Sequence, residues 1–537
     1  MQCRALPFRE LPHQPPIHLA FLDEFHRVKA FYTHEPTLEN VTALAGTLNY
    51  PQARRSAVAA VLREQNEGLN AGEAALNNIS RLEKGAVAVV TGQQVGLFGG
   101  PAYAFYKALS AIETARLLTK SGVEAVPVFW MATEDHDLDE VRHVTFFHVG
   151  KLEKFELPAQ MGAPRAVGPQ KLGPQVAEFV RAATVMLGGP AGGDVATLLS
   201  ASYTPDETYA SAFGKLFAGL FASHGLIILN PLDARLHRIA EPIYRQAAEE
   251  RVALNEALLA RNKELQQAGF APQVKVTGKS TALFHMGAGG REAIRSNGTQ
   301  FQADTLSWSG QELLKAISQS PELFSPNALL RPVVQDYLLP TVAYFGGPAE
   351  IAYFAQSEVF YSKLLHRQPV FFSRAGFTLV DSKAQRLLEQ YKMTVEDVWA
   401  GPQAVHLKLG AANVSAKLDA KLAKDSEKIQ KLLESWREQV TSIDPSLKST
   451  VENAQRKITH QTEKLRQAAG WARDKKSNVL AGHAEFLSNQ LYPNKALQSR
   501  ELNFLPLLAR WGWEGLEALQ KHASGKHLGK HFLVPIP

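Results

Sequence analysis

Residues 89–137 read VVTGQQVGLFGGPAYAFYKALSAIETARLLTKSGVEAVPVFWMATEDHD, and this stretch decides the fold. The apolar, β-branched run at residues 86–90 predicts a buried parallel strand. A glycine-containing loop follows, and Pro101 then suits the first position of a helix. A second apolar run at residues 126–132 predicts a neighbouring strand. The pattern indicates an α/β protein with a parallel-sheet core.

Polar and glycine residues follow the first of these strands. A right-handed crossover brings the carboxyl ends of the two strands to one edge of the sheet, where ligands of open α/β sheets bind. Glycines allow the backbone to approach a ligand, and amide and hydroxyl donors suit a carboxylate or phosphate oxygen. The glycine spacing does not fit the dinucleotide fingerprint. The predicted substrate-binding residues are Thr91, Gly92, Gln93, Gln94, Gly96, Gly99 and Gly100.

The second strand runs directly into a cluster of ionisable residues, Glu134, Asp135, His136 and Asp137. Crowded carboxylates repel one another, so at least one is expected to have a raised pKa, which suits a general acid or base. We predict that His136 or Asp137 deprotonates an attacking amine, while Glu134 or Asp135 orients it or holds a substrate ammonium. The simpler alternative is that some of these residues cap the next helix.

Metal binding is a second alternative for this region. His136, Glu140 and His143 would share one helical face, as zinc ligands can, but such spacing also arises by chance. Cys3 is the only cysteine, which excludes an intrachain disulfide and a cysteine-built zinc site. We therefore expect no structural metal, and at most a transient Mg²⁺ bound with nucleotide phosphates.

Three further features each have a simple structural explanation. Residues 344–350 (YFGGPAE) echo residues 97–103, which indicates either two similar helix starts or a second ligand-facing loop on the same edge. Residues 278–280 (GKS) resemble the end of a P-loop, but Gln273 replaces its first glycine, so a turn is expected. Lys107 lies about two turns into the first helix, where we expect a structural or solvent-facing side chain.

The remaining chain divides by changes in pattern. Residues 413–472 carry apolar side chains at three-four spacing in two runs, divided by Asp444 and Pro445. The pattern predicts an antiparallel helical hairpin with an apolar stripe that a second copy of the chain could bury. The core is predicted in three parts: residues 1–150, which include a lead-in, residues 206–269 and residues 326–412. Two insertions separate these parts, a first one with one or two helices (151–205) and a second, partly β one (270–325). The hairpin (413–472) follows, and a last segment (473–537) is expected to pack back on the core through Leu491, Phe504, Leu505 and Leu507.

Composition restricts the class of protein. The chain has 537 residues, 45% of them hydrophobic and 20% charged, which is ordinary for a soluble globular protein. A net charge of +6 over this length does not predict a nucleic-acid surface. No apolar run approaches the ~20 residues that span a bilayer, and the first ten residues lack the apolar core of a signal peptide. We expect a cytoplasmic protein.

Three motifs carry a resemblance to a known family. TGQQVGLFGGP (91–101), VPVFWMATEDHDLDEV (126–141) and LYPNKALQSRELNFLPLL (491–508) resemble the cysteine-adding enzymes of bacillithiol biosynthesis, the BshC family. The resemblance implies a Rossmann-like core with two insertions and a helical coiled coil that forms a homodimer. It also implies an enzyme that adds cysteine to glucosaminyl malate.

Amide formation of this kind needs activation of the cysteine carboxyl, for which ATP is the ordinary reagent. The resemblance suggests an adenine nucleotide, ATP or ADP with Mg²⁺, between the core and the coiled coil. The candidate residues are Tyr492, Asn494, Gln498, Arg500 and Asn503, although a capped helix start at Pro493 explains the segment equally well. The rival hypotheses are a nucleotidyl transferase with a synthetase-like core and a noncatalytic dimeric scaffold.

Overall fold

The computed structural model describes residues 3–159, 165–287, 290–412, 416–444, 447–474, 478–527 and 529–537. The strands are β1 (Arg4–Pro7), β2 (Val87–Gln93), β3 (Ala125–Met131), β4 (His143–His148), β5 (Lys151–Glu156), β6 (Ile227–Leu229), β7 (Ser280–Gly287), β8 (Gly290–Ser296), β9 (Gln300–Ala303), β10 (Leu306–Ser309), β11 (Phe324–Pro326), β12 (Thr341–Gly346), β13 (Val370–Ser373), β14 (Gly376–Val380) and β15 (Lys530–Pro535).

The α-helices are α1 (Pro16–Asp23), α2 (Leu38–Thr47), α3 (Gln52–Gly68), α4 (Glu73–Lys84), α5 (Ala102–Lys120), α6 (Leu138–Val141), α7 (Gln175–Met186), α8 (Gly192–Ser202), α9 (Tyr209–Leu220), α10 (Ala234–Glu249), α11 (Arg251–Gln267), α12 (Gly310–Gln319), α13 (Arg331–Leu338), α14 (Pro348–Phe360), α15 (Ser382–Gln390), α16 (Val395–Trp399), α17 (Pro402–Ala412), α18 (Ala416–Ile443), α19 (Lys448–Asp474), α20 (Val479–Leu491), α21 (Gln498–Glu501), α22 (Leu505–Trp511) and α23 (Trp513–Gln520). None of these helices, within the described residues, is both long and apolar enough to cross a membrane.

A five-stranded parallel sheet forms the centre of the molecule, in the order β13-β12-β2-β3-β6. The predicted strand–helix–strand unit is confirmed, since β2, α5 and β3 follow one another and β2 pairs with β3. β2 extends beyond the predicted strand, so Thr91, Gly92 and Gln93 are strand residues and not loop residues. The Thr91 hydroxyl stabilises this extension because it is buried and donates to the carbonyl of Phe345 at 2.8 Å.

Helices cover both faces of this sheet. Ala88 and Val90 of β2 join a core that includes side chains of α3, α10, α13 and α14. The alternate residues Val87 and Val89 face the other side, where they pack with α5 and α2. This alternation follows from the two-residue period of a strand. The fold is therefore Rossmann-like α/β, with the sheet buried on both faces.

Both insertions contain the elements that their composition predicted. The first contains the helices α7 and α8 and contributes β5, which pairs with β4. The second contains an antiparallel sheet in the order β10-β9-β8-β7-β11, together with α12. Between the two insertions, α10 and α11 follow one another and meet at Glu250.

The C-terminal region contains the predicted helical hairpin. α18 and α19 lie side by side, and Gln455 Nε2 donates to Gln430 Oε1 across them at 3.1 Å. Pro445, predicted to begin the second helix, lies outside the described residues. The last segment packs back on the core as predicted, because Leu491, Phe504, Leu505 and Leu507 are all buried. It also contributes a strand to a second sheet, since β15 pairs with β14 and β1.

Candidate active site

A cavity of about 780 Å³ opens at the carboxyl ends of β2, β3 and β12. Its walls come from the sheet edge, from the helices α5, α6, α10, α11, α13 and α14, from the second insertion and from the C-terminal segment. A cavity of this size lies within the range of small-molecule sites. Four carboxylates and eight lysine or arginine side chains line it among the described residues. The site is thus built for a polar, charged ligand.

Glu134 is the most perturbed carboxyl group of the predicted acidic cluster. Its residue is only 5% exposed. Burial and, to a smaller extent, the Asp135 carboxylate raise the pKa of Glu134 to about 7, against the opposing effect of Arg291 and Arg331. His237 Nε2 lies 3.7 Å from Glu134 Oε1 on the side of α10. Near neutral pH this carboxyl group is close to half ionised, so it can both accept and return a proton.

Asp135 and Glu140 share one amide group. Gln94 Nε2 donates to Asp135 Oδ2 at 2.9 Å and to Glu140 Oε2 at 2.6 Å. Burial raises the pKa of Glu140, and the hydrogen bond from Gln94 opposes that shift. The two carboxylates therefore lie close together on the cavity wall, where their combined charge suits an ammonium group.

His136 and Asp137 differ in their relation to the cavity. His136 lines it, and its Nδ1 lies 3.0 Å from Arg291 Nη1. Because arginine can only donate, His136 Nδ1 accepts this bond, and the ring proton is assigned to Nε2. Asp137 instead caps α6, since its Oδ1 accepts from the backbone N–H of Glu140 at 3.2 Å. It is not among the residues that line the cavity.

A buried ion pair joins α5 to the second glycine-proline motif. Lys107 Nζ donates to Glu350 Oε2, to the carbonyl of Gly92 at 2.8 Å and to Gln93 Oε1 at 3.0 Å. The lysine side chain is 1% exposed, so of the two roles expected for Lys107 the structural one is observed and the solvent-facing one is not. Burial lowers the pKa of Lys107, and Glu350 partly restores it.

Glu350 has three donors at one carboxylate. Besides Lys107, it accepts from the backbone N–H of Gly347 at 2.7 Å and from the Tyr344 hydroxyl at 2.8 Å. Burial by itself would raise the pKa of Glu350, but Lys107 and these donors hold it below the ordinary value. Gly347, Pro348, Ala349 and Glu350 all line the cavity. Both interpretations of residues 344–350 therefore hold: α14 begins at Pro348, and the residues at its start face the cavity.

The first glycine loop divides into two parts. Gly92, Gln93 and Gln94 line the cavity, whereas Gly96, Gly99 and Gly100 do not. These last three anchor the loop to the core: the Tyr203 hydroxyl contacts both Gly96 and Gly99, and Asn503 Nδ2 donates to the carbonyl of Gly100 at 2.6 Å. Gly99 and Gly100 have positive φ, which other residues adopt at a cost.

The five predicted nucleotide residues do not all face this cavity. Arg500 alone among them lines the cavity. Gln498 Nε2 donates to the carbonyls of Leu379 and Gln490, and Asn503 binds the glycine loop, so both are engaged inside the protein. Tyr492 is buried in an apolar cluster, and Asn494 pairs with Glu501. The segment mainly attaches the C-terminal region to the core.

Comparison with known proteins identifies the family. The model described as "Bacillithiol biosynthesis BshC, N-terminal Rossmann-like domain" matches residues 1–375. The model described as "Bacillithiol biosynthesis BshC, C-terminal coiled-coil domain" matches residues 377–534. The chain belongs to the BshC family.

Relatives from several bacteria match almost the whole chain and are named "Putative cysteine ligase BshC". The relative from Koribacter versatilis (strain Ellin345) is 39% identical over 96% of this chain and 96% of its own length. Those from Solibacter usitatus (strain Ellin6076) and Salinibacter ruber (strain DSM 13855 / M31) are 35% and 30% identical, over 95% and 97% of this chain and 96% of each relative. Membership of the BshC family places the chain among the ligases.

Several residues of this BshC family site were missed by sequence reasoning. Arg331 and Arg374 line the cavity from α13 and from the loop after β13, and Arg291 reaches it from the second insertion. Arg374 is buried beneath the ring of Tyr103, with its guanidinium carbon 5.3 Å from the ring centre. No local motif marks these arginines, because only tertiary folding brings them to the sheet edge. Among the described residues, no group of three His, Cys, Asp or Glu side chains is placed to hold a metal ion.

Proposed function

We propose that this protein joins the carboxyl group of cysteine to the amine of glucosaminyl malate. Two lines of support converge on this reaction. Relatives that match nearly the whole chain bear the name of a cysteine ligase. The cavity supplies a buried carboxyl group, Glu134, whose pKa of about 7 suits a general base for an amine. Glu134 is the single observation that carries the proposal.

Glu134 is the base in this proposal. An amine attacks a carbonyl carbon only as the free base, so its extra proton must leave as the new C–N bond forms. Glu134 takes that proton, while His136 and Asp137, the earlier candidates, have other partners: Arg291 donates to His136, and Asp137 caps α6. Arg291 and Arg331 favour the ionised form of Glu134, which keeps part of it available as a base near pH 7.

The paired carboxylates and the arginines provide binding positions for the two charged groups of a zwitterionic amino acid. Asp135 and Glu140, held together by Gln94, suit the ammonium group of cysteine. Arg374 and Arg500 suit its carboxylate or a phosphate. Burial, and then the neighbouring Arg500, lowers the pKa of Arg374 to about 10, so it remains a cation at neutral pH.

A nucleotide fits this cavity only in part. Of the five residues predicted to bind it, Arg500 lies on the cavity, and the other four have partners or positions elsewhere. The phosphates would be held by Arg500 with Arg374, and Mg²⁺ would need phosphate oxygens in addition to protein carboxylates. When bound, the nucleotide would activate the cysteine carboxyl group. The protein's own contribution is to position both substrates and to remove the amine proton.

Mass spectrometry of a purified reaction tests the proposal. The protein is incubated with cysteine, glucosaminyl malate, ATP and Mg²⁺, and the expected product has the combined mass of cysteine and the amino sugar less one water. Glu134→Gln should abolish most of this product while the fold, followed by circular dichroism, stays intact. In parallel, cells that lack the gene should accumulate glucosaminyl malate until the wild-type gene is restored. Unchanged thiol content in such cells would exclude this reaction.

A further inference from the structure

The cavity has a second end, formed by α11 and the second insertion, that differs in charge from the sheet edge. All four carboxylates that line the cavity, within the described residues, come from the sheet edge: Glu134, Asp135, Glu140 and Glu350. Besides Arg291, which contacts His136, α11 and the second insertion contribute Arg251, Lys275 and Arg295 to the lining, and no acid. Across the described part of the chain, none of these three cations has an ion pair.

The spacing along β8 separates this end from the acidic cluster. Arg291, Ala293, Ile294 and Arg295 of β8 line the cavity, and Arg291 and Arg295 lie on the same face of the strand. Arg291 contacts His136, which fixes that part of the strand beside the acidic cluster. Arg295 lies four residues further on, about 13 Å along the strand. The cationic end is therefore distinct from the proposed reaction centre but belongs to the same cavity.

Asn255 adds a polar group that lacks a partner within the protein. It lies one helical turn after Arg251 on α11, is 7% exposed and lines the cavity. Its Nδ2 donates to the carbonyls of Thr277 and Gly278, both at 3.0 Å. These two bonds fix the orientation of the amide, because Oδ1 could not face a carbonyl. Asn255 Oδ1 is buried and has no hydrogen-bond partner among the described residues, so a ligand hydroxyl or ammonium would satisfy it.

The backbone around Asn255 is the turn predicted for residues 278–280. Ser280 N–H donates to the carbonyl of Thr277 at 2.9 Å, and the Thr277 N–H donates to Ser280 Oγ at 3.0 Å. Ser280 pairs with Arg295 across β7 and β8. The turn therefore holds Asn255, Ser280 and Arg295 together on the cavity wall.

We propose that Arg251, Lys275 and Arg295 bind the anionic end of the amino-sugar substrate while Asn255 accepts from a hydroxyl of its sugar, so that α11 and the second insertion determine substrate specificity. This inference rests on the proposed function. The acceptor amine must approach Glu134, and several bonds separate it from the two carboxylates of the malate group. Cations at this end neutralise those carboxylates, and a sugar hydroxyl donates to Asn255 Oδ1. A phosphate shares the same anionic chemistry, so the test includes a nucleotide.

Calorimetric titration of the full-length protein distinguishes the malate carboxylates from a phosphate as the anion bound at this end. Wild type, Arg251→Gln and Arg295→Gln are titrated with glucosaminyl malate, with methyl glucosaminide, which lacks the carboxylates, and with ADP plus Mg²⁺. Arg295 is exposed, so its variant is expected to fold even if Arg251→Gln does not. Lys279→Gln is the matched control, because Lys279 is an exposed cation in the same turn that does not line the cavity.

The inference predicts that Arg295→Gln weakens glucosaminyl malate binding by about tenfold or more, with little change for methyl glucosaminide or ADP, and that Lys279→Gln binds as wild type does. If wild type binds glucosaminyl malate and Arg295→Gln and Arg251→Gln bind it equally well, the subsite is wrong and the proposed function stands. If the variants lose ADP instead, the subsite holds phosphate and the malate assignment is overturned. If wild type binds no amino sugar, the proposed function fails and the inference fails with it.

Discussion

The fold keeps the Glu134 carboxyl group protonated at pH values at which a glutamate is ordinarily ionised. If it is the base, kcat should rise with pH through about 7, since only the carboxylate can accept the amine proton. Glu134→Gln keeps the shape but cannot accept a proton, so kcat should fall by roughly 10²–10⁴ and lose this dependence. Steady-state rates from pH 5.5 to 8.5 measure both effects. Asp137→Asn, which can still cap α6, is the control and should retain wild-type kcat within a few-fold.

The raised pKa of Glu134 also predicts that the difference in stability between wild type and Glu134→Gln depends on pH. The pKa of Glu134 is 4.5 before folding and about 7 in the folded protein. Between these values the unfolded chain releases a proton that the folded protein retains, so the contribution of Glu134 to stability is lost as pH rises to 7. Glu134→Gln has no such loss. Urea unfolding should show equal stability near pH 4.5 and a variant more stable by roughly 3 kcal/mol at pH 8. A constant difference across this range would contradict the raised pKa.

Lys107 and Glu350 form a pair whose single removal leaves a buried charge. Lys107→Met should lower the free energy of unfolding by roughly 3–5 kcal/mol, because Glu350 keeps a carboxylate without its cation. The double variant Lys107→Met/Glu350→Gln should recover most of that loss. Urea titrations of the single and double variants measure the coupling. Lys120→Met, at an exposed position on α5, should change stability by less than about 0.5 kcal/mol. A double variant that is no more stable than Lys107→Met would refute the explanation that an unpaired Glu350 carboxylate causes the loss.

At the scale of elements, the close approach of β2 and β3 requires glycine at position 92. A Cβ atom there would lie 2.8 Å from the carbonyl oxygen and 3.1 Å from the Cβ of Trp130. Gly92→Ala should therefore displace the strand ends, lowering stability by about 1–3 kcal/mol and activity with it, since the Gly92 carbonyl also accepts from Lys107. Gly68→Ala in α3 meets no atom within 4 Å and should be neutral or stabilising. Thermal unfolding and kcat of the two variants test this difference.

The elements were predictable where local pattern is strong. The β2–α5–β3 unit, the β-rich second insertion and the hairpin follow from periodicity and from glycine and proline positions. The extension of β2 through Gln93 was not visible, because glycine and glutamine disfavour strands and only pairing with β3 holds them there. The boundary between α10 and α11 at Glu250 is not visible in the sequence either, because no proline or glycine marks it.

The candidate site was predictable at its centre and not at its walls. Glu134 and Asp135 lie at the end of a strand whose sequence identifies it, so a crowded acid with a raised pKa could be expected there. Which of these acids has the raised pKa depends on how α10 and the second insertion bury it, and the packing of these two elements cannot be read from the sequence. Lys107 shows the same limit, since its helical position was clear but its partner Glu350 lies 243 residues away. Arg291, Arg331 and Arg374 reach the cavity only through such long-range contacts.

At the scale of the whole molecule, the C-terminal region contributes to the site through its attachment to the core. Asn503 Nδ2 donates to the carbonyls of Phe98 and Gly100, and Arg500 reaches the cavity from the same segment. Phe504 packs on Phe105 and Tyr106 of α5. The C-terminal domain is therefore joined to the glycine loop that precedes α5, so a change in the position of one would alter the other.

The hairpin of α18 and α19 exposes large apolar side chains. Leu432, Trp436, Ile443 and Leu465 are 53%, 54%, 82% and 70% exposed. We expect a second copy of the chain to cover this surface, which the coiled-coil pattern of the hairpin suits.

Sedimentation velocity should therefore give a dimer for wild type and a monomer for Trp436→Glu, because a charge on the apolar stripe opposes its burial. Lys421→Glu changes charge at an exposed polar position on α18 and should leave the dimer intact. Circular dichroism checks that both variants keep their helices. A wild-type monomer at micromolar concentration, or a Trp436→Glu dimer as stable as wild type, would exclude the hairpin as the interface.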